Sequence, residues 1–317
     1  MNKQLNPVPE KLTLPEIMRH FDSEDKARAY LEAIRWPSGP VCPHCRNAKQ
    51  DSLWRIAANP AKKVRAGLIQ CGACNKQFTV TVGTIFEDSH IPLSKWFIGW
   101  YLFASAKKGI AALELQRVLG LGSYRSALFM AHRIRHSLKS PVFDGSKFGG
   151  IVEVDETYIG GRATGRGRGY KRNKMPVVAL VQRDGKARSR VMACVTAHNL
   201  KSVLRENVKP SATIMTDDFP AYRKATPDFA AHESVNHSAK EYARGNVHTN
   251  TVEGFFSMLK RGINGTFHHV SHKHLPLYLA EFDHRYNTRK MTDGERTIAG
   301  LQNMEGKRLT YATPKQA

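Results

Sequence analysis

"GGIVEVDETYIGG", residues 149–161, places Glu153, Asp155 and Glu156 inside an apolar, β-branched run closed at both ends by paired glycines. Ile151, Val152, Val154 and Ile159 between those brackets read as a strand buried on both faces. A carboxylate in such a strand needs a partner, because a desolvated charge is costly to leave alone. Two kinds of partner are conceivable, one of the many arginines or a divalent metal, and the rest of the chain has to decide between them.

Further along, strands and short helices alternate. "MPVVALVQ" (175–182) and "RSRVMACVT" (188–196) read as a hairpin turning at Asp184 and Gly185, and "NLKSVLREN" (199–207) as a short helix. "SATIMTDDFPAY" (211–222) is a further strand ending in Asp217 and Asp218, and "HTNTVEGFFSMLKRG" (248–262) is a helix with Glu253 near its start. Lys260 stands two turns after Glu253, on the same face of that helix. Asp155, Asp217 and Glu253 thus form a three-carboxylate set, and no Ser-His-Asp arrangement competes with it.

The chain has 317 residues, 41% of them hydrophobic, with 49 Lys+Arg against 27 Asp+Glu and a net charge of +22. That length gives room for two or three domains. Basic residues spread along the whole chain favour a phosphate polymer as partner, through counterion release. No apolar run approaches a membrane span and the first residues lack a signal-peptide pattern, so the expectation is a cytoplasmic protein. Residues 160–174, "GGRATGRGRGYKRNK", carry six Arg or Lys and no acid. The segment reads as a loop whose Arg166, Arg168, Lys171 and Arg172 contact DNA, since nothing in it fits a phosphate-cradling loop.

"CPHC" at 42–45 and "CGAC" at 71–74 are two C-x-x-C knuckles. Cys42, Cys45, Cys71 and Cys74 can present four thiolates to one Zn²⁺, and a full sulfur shell makes that zinc structural. The fifth cysteine, Cys194, reads as a small buried hydrophobe. Ahead of the knuckles, residues 22–36 form a helix capped by Ser23. After them, 92–140 turns helical, with Gly120, Leu121 and Gly122 making a tight turn between two amphipathic segments, the shape of a helix-turn-helix. The second segment puts Tyr124, Ala127, Leu128, Ala131, Ile134 and Leu138 on one stripe. Its other face carries Arg125, His132, Arg133, Arg135, His136 and Lys139, which suits a helix lying in the major groove.

With these motifs in order, the chain resembles the bacterial insertion-sequence transposases of the DDE class, in the group with a zinc ribbon ahead of the catalytic domain. The resemblance spans roughly residues 20–295 and rests on "CPHC", "CGAC", "VEVDETYIGG", "TDDFPAY", "HTNTVEGFFSMLKRG" and "YLAEFDHRYNTR". It implies an α/β multidomain protein whose RNase H-like mixed sheet carries Asp155, Asp217 and Glu253, with Lys260 as the basic companion of the glutamate. It further implies two Mg²⁺ or Mn²⁺ ions on those carboxylates. Water would cleave at the transposon end, and the freed 3′-hydroxyl would attack target DNA. Lys260 and the adjacent Arg261 are assigned to DNA phosphate. Double-stranded DNA, as transposon ends and target, is the expected partner of a homo-oligomer working near the bacterial nucleoid.

The corresponding division is an N-terminal helical segment (1–39), a zinc ribbon (40–90), a helix-turn-helix-like region (91–141), a catalytic domain (148–295) and a C-terminal tail (296–317). Glu153 and Glu156 stay outside the triad as open auxiliary ligands. Asp217 is favoured over Asp218, because the family places its aspartate directly after the threonine of "TDDFPAY". The histidines of "GTFHHVSHKH" (265–274) read as a wet, DNA-facing loop, and Glu281, Asp283, His284 and Arg285 as an internal salt-bridge network. Two other readings compete: an RNase H-like nuclease or resolvase that cuts without joining, and a non-catalytic zinc-ribbon DNA-binding regulator. The second leaves the ordered acids of 148–295 without a task.

Overall fold

In a computed structural model, residues 13–139, 146–160 and 174–310 are described. They fall into two compact units, one built from the chain up to 106 together with 112–138 and everything after 290, the other from 107–111 and 139–290.

The first unit begins with helices α1 (Leu14–His20) and α2 (Glu24–Arg35). Ser23 caps α2 by accepting from the Lys26 amide, with Glu24 and Asp25 in the first turn complementing the helix dipole. A small antiparallel sheet follows, β1 (Leu53–Arg55), β2 (Ile69–Cys71) and β3 (Gln77–Phe78), in the order β1-β2-β3. Helices α3 (Leu93–Ser105), α4 (Ala112–Leu119) and α5 (Tyr124–Leu138) complete the order up to 138. Rings hold the surrounding segments to α3, with Phe21 at the end of α1 against Phe97 at 4.5 Å, Tyr30 of α2 against Phe97 at 5.9 Å, and Phe86 against Trp96 at 5.2 Å. The ribbon and these helices fall in one compact unit.

The second unit is organised around a five-stranded mixed sheet of β4 (Ile151–Ile159), β5 (Met175–Gln182), β6 (Ala187–Val191), β7 (Thr213–Asp217) and β8 (Ala231–Val235), in the order β6-β5-β4-β7-β8. β4, β5 and β6 pair antiparallel, while β7 runs parallel to β4 and β8 parallel to β7. Helices α6 (Ala197–Asn207) and α7 (Pro220–Ala225) pack on one face with Val152, Val154, Val178 and Leu180. A short hairpin, β9 (Ala243–Arg244) and β10 (Val247–His248), leads into α8 (Asn250–Gly262) and α9 (Leu275–Asn287), which cover the other face with Val177, Ala179 and Val181. The β4 stretch is thus buried on both faces, and its alternation sends Glu153 and Asp155 toward α8 and Val152, Val154 and Glu156 toward α7.

Two expectations need correcting. The start of the expected tail is helical: α10 (Asp293–Gln302) begins with a capping box between Thr292 and Glu295 and buries Leu301. Gly300 makes that packing possible, since a Cβ there would stand 2.2 Å from the Trp100 ring on α3. Cys194 is exposed, because it sits in the turn after β6, where its sulfur accepts from Asn199 Nδ2 at 3.2 Å. On α9, the expected ion pair is present between Arg285 and Glu281 at 2.6 Å, whereas Asp283 accepts from the Ser189 amide and hydroxyl of β6.

Candidate active site and nucleic-acid interface

Asp155 lies in the middle of β4, Asp217 at the C-terminal end of the parallel neighbour β7, and Glu253 in the first turn of α8. Asp155 Oδ1 accepts from the Glu156 amide at 2.7 Å, and Asp217 Oδ1 from the Phe219 amide at 3.1 Å. Glu253 Oε1 accepts from Thr249 Oγ1 at 2.7 Å, with His237 Nε2 at 3.8 Å. Burial, reinforced by the negative charges of Glu156, Asp217 and Glu253, pushes the Asp155 carboxyl up to about 7. Burial also raises Asp217, against the opposing pull of the Phe219 amide. The charges felt at Asp155 are those of neighbouring acids, and an all-oxygen donor set is one that Mg²⁺ or Mn²⁺ accepts. The three acids are neighbours but are not drawn together. Among the described residues, only the four cysteines form a group of candidate ligand atoms within 4.8 Å of one another.

Glu153, left open by the sequence, is the anchor of this arrangement and is completely buried. Its Oε2 accepts from the amides of Thr251 (2.7 Å) and Val252 (3.0 Å), the free N–H groups of the first turn of α8. Its Oε1 accepts from Thr251 Oγ1 at 2.8 Å and from Arg183 Nε at 2.7 Å. Both oxygens are therefore engaged by the scaffold, and one carboxylate ties the strand of Asp155 to the helix start that carries Glu253. Arg183 extends the network to the hairpin, donating to the Asn246 carbonyl and side chain and to the His248 carbonyl. On the opposite sheet face the buried Tyr222 hydroxyl donates to Glu156 Oε2 at 2.6 Å, and burial beside that acid holds the phenol well above its ordinary range. The signal that could have singled out Glu153 is its register: it shares a strand face with Asp155, and that face meets α8, the helix that carries Glu253.

Asp155 and Glu253 open onto a cavity of about 710 Å³, lined also by Lys260 and Arg261 of α8 and by Lys108. The predicted common face of Glu253 and Lys260 is thereby realised. Lys108 belongs to no motif and was not anticipated.

In the ribbon, Cys42 and Cys74 Sγ stand 3.7 Å apart and Cys45 and Cys71 Sγ 3.6 Å, with no disulfide among them. A tetrahedron with Zn–S bonds of about 2.3 Å has edges of roughly 3.8 Å, so the four thiols are already spaced for one zinc.

The sequence-assigned DNA residues separate into three groups. Arg125 is exposed at the start of α5. Arg133 is not available: it is buried, donates to the Ile85 and Glu87 carbonyls at 2.8 and 2.7 Å, and stacks on Phe129. His132 and Arg135 are buried with it. A helical wheel separates polar from apolar positions but does not say how many sides of the helix are covered; here the turns after β3 supply carbonyls that no strand satisfies, and a guanidinium fills that role. Arg166, Arg168, Lys171 and Arg172 lie outside the described residues.

Comparison with known proteins agrees with these motifs. The family model of the ISXO2-like transposase domain matches residues 147–287, and that of the transposase zinc-ribbon domain matches 22–77, taking in α2. An uncharacterized protein in transposable element ISH50 of Halobacterium salinarum is 30% identical over 285 residues, covering 84% of this chain and 92% of that one. An uncharacterized transposase-like protein of Haemophilus influenzae is 30% identical over 97 residues, 31% of this chain and 77% of that one. A chain from the simian T-cell lymphotropic virus intasome in complex with PP2A regulatory subunit B56 gamma aligns at 16% identity over 65% of this chain and 77% of its own, with a TM-score of 0.29. So slight a likeness carries no weight for the fold.

Proposed function

This chain belongs to the family of insertion-sequence transposases that carry a zinc ribbon ahead of the transposase domain, and from that premise we propose that it binds the ends of its element and performs metal-dependent cleavage and strand transfer of DNA. The observation that carries the reading is the opening of Asp155 and Glu253, from β4 and α8, onto one cavity that Lys260 and Arg261 also line, with the charge of Asp217 at the end of β7 felt at Asp155. The mixed sheet covered by helices on both faces supports the RNase H-like assignment. Mg²⁺ or Mn²⁺, when bound by these carboxylates, supplies activation of the attacking oxygen and stabilisation of the leaving one.

The chain's own residues do the rest. Glu153 holds α8 against β4, so the acids keep a fixed spacing while DNA enters. Lys260 and Arg261 neutralise phosphate beside the scissile bond, so the strand can approach a nest of carboxylates. No protein nucleophile is needed, because water and then a DNA 3′-hydroxyl attack phosphorus. Asp217 is the second ligand, its charge being among those felt at Asp155.

For end binding, α4 and α5 act as a helix-turn-helix that presents its exposed α5 start, Tyr124 to Ser126, to the groove. The protein works near the nucleoid as a homo-oligomer on DNA; among the described residues no helix is long and apolar enough to cross a membrane.

The test is a strand-transfer assay with pre-cleaved ends taken from the DNA flanking the reading frame. Wild type should join them with Mg²⁺, and Asp155→Asn and Asp217→Asn should each lose at least about 10³-fold while still binding DNA. Cleavage without joining would leave the nuclease reading standing in place of transposition. If Asp218→Asn is dead and Asp217→Asn active, the ligand moves by one position.

A further inference from the structure

The cavity of Asp155 and Glu253 has a wall that no sequence motif provides. Residues Lys107–Ala111, between α3 and α4, belong by their contacts to the unit of the carboxylates, although the chain on either side of them belongs to the other. The segment is seated tightly on that unit. Gly109 adopts φ +88°, and a Cβ there would lie 2.4 Å from Phe267 Cζ and 3.1 Å from Glu281 Oε1. A Cβ on Gly262, at the end of α8, would meet the Lys108 carbonyl oxygen at 3.0 Å. Two glycines, one on each partner, thus let the backbone of 108 and 109 come down onto α8 and α9. This fixes where Lys108 starts, and its exposed side chain lines the cavity with Asp155, Glu253 and Lys260.

We propose that Lys108 binds a backbone phosphate of the DNA strand lying in the carboxylate cavity, as a second cationic contact contributed independently of Lys260 and Arg261. Among the described residues Lys108 takes part in none of the ion pairs, although it shares its cavity with acids. Its ammonium keeps its donors for an anion that comes from outside, and a cation held on a flexible stem suits a phosphate that must arrive and leave. A backbone so closely seated is not required merely to expose a lysine to water; it is required to keep that lysine at one distance from the reacting strand. The inference rests on the DNA-processing reading above and adds to it a contact from a segment outside the transposase domain match.

The experiment uses the full-length protein and a short random-sequence DNA duplex, with fluorescence anisotropy read across a KCl series in the absence of divalent metal. Lys108→Gln should weaken binding about three- to tenfold at moderate salt and reduce the salt slope by roughly one phosphate's share, about 0.9, and Lys108→Arg should restore both. A series of duplexes with single neutral methylphosphonates sharpens this: the phosphate whose neutralisation weakens wild type should be without effect in Lys108→Gln. An unchanged slope, or methylphosphonate effects that simply add to the mutation, would overturn the proposal and leave Lys108 as a charge balancing the acids. The measurement needs no turnover, so a protein that fails the strand-transfer assay still gives an answer on Lys108, and a protein that passes it can still refute the contact.

Discussion

The cysteine cluster and the carboxylate cluster solve the same problem, gathering ligands from distant residues, in opposite ways. Each cysteine pair sits on a tight turn, Arg46 at φ 60° after the first and Asn75 at φ 55° after the second, and the four sulfurs come within 4.8 Å unaided. Each pair is placed by its own turn, so local geometry is enough. The acids come from two strands and a helix, are engaged by the amides of Glu156 and Phe219 and by Thr249, and do not form such a group. The strand of Asp155 and the helix start of Glu253 are tied together by Glu153, whose oxygens are taken up by the α8 amides, Thr251 and Arg183. A metal site whose ligands sit in pairs on tight turns is assembled by its own motif; one whose acids come from separate strands and a helix needs a scaffold that holds like charges near each other.

The largest effect is expected where the motif is self-sufficient. Cys42→Ser should abolish zinc retention, seen as loss of one Zn²⁺ per chain in native mass spectrometry, and should unfold the ribbon, because the metal's binding free energy in such modules, on the order of 10 kcal/mol, is folding free energy. The rings that join α2 and α3 to the ribbon's surroundings should loosen with it. An intact ribbon by amide exchange in the zinc-free variant would break the comparison at its root.

How far each region could be read from sequence follows from the same contrast. The knuckles, the Asp155 strand, the hairpin turning at Asp184 and the common face of Glu253 and Lys260 are local patterns, and period and turn chemistry expose them. What eluded reading is non-local. The strand's acids were set between two partners, arginine or metal, and the structure divides them: Glu153 takes Arg183 and the α8 amides, while the charges felt at Asp155 are those of neighbouring acids. Arg133 stands on a polar stripe yet is buried, because what covers a helix is decided by residues 85 and 87, far away in the chain. Lys108 lies in no motif because its position depends on two glycines 153 residues apart, Gly109 and Gly262.

Glu153→Gln tests the scaffold side of the comparison. The neutral amide leaves Arg183 without its anion and turns a donor toward the α8 amides, so a loss of about 3 kcal/mol is expected in urea melts of the second unit. Cleavage should fall while DNA affinity holds, since the acids lose their spacing but the cations stay. Zinc stoichiometry should remain one, as the ribbon does not share this network. If Glu153→Gln retained full cleavage, the carboxylates would be self-assembling after all, and the contrast with the cysteines would collapse.

Arg133 is the first unit's counterpart, a buried cation that satisfies distant carbonyls. Arg133→Ala strands two carbonyls and opens a void beside Phe129, for an expected cost of about 2 kcal/mol with the salt slope of DNA binding unchanged. Arg125→Ala should do the reverse, sparing stability and reducing the slope by about 0.9. Exchanged outcomes would restore the groove-facing helix read from sequence.

The smallest effect concerns an acid that the fold holds by hydrogen bonds, as it holds Asp155 and Asp217, but outside the cavity. Burial pushes the Asp283 carboxyl up to about 7 against the pull of the Ser189 hydroxyl and amide. A carboxyl whose folded value lies above its unfolded value keeps an extra proton in the native state. Its contribution to stability is therefore fully present below about pH 4 and is lost as pH rises through about 7. Asp283 is only partly screened from solvent at its surface, so the effect should be about 1–2 kcal/mol, well below what the shift alone implies. Asp283→Asn can still accept from the Ser189 amide and has no charge to bury, so its stability in urea melts should stay flatter than wild type between pH 5 and pH 8, with the two curves separating toward the alkaline end. Parallel curves would mean that Ser189 and the nearby Arg188 carry the charge of Asp283 without cost. Anions in this unit would then need no special scaffold, and the burden placed on Glu153 would have to be explained by Asp155, Asp217 and Glu253 alone.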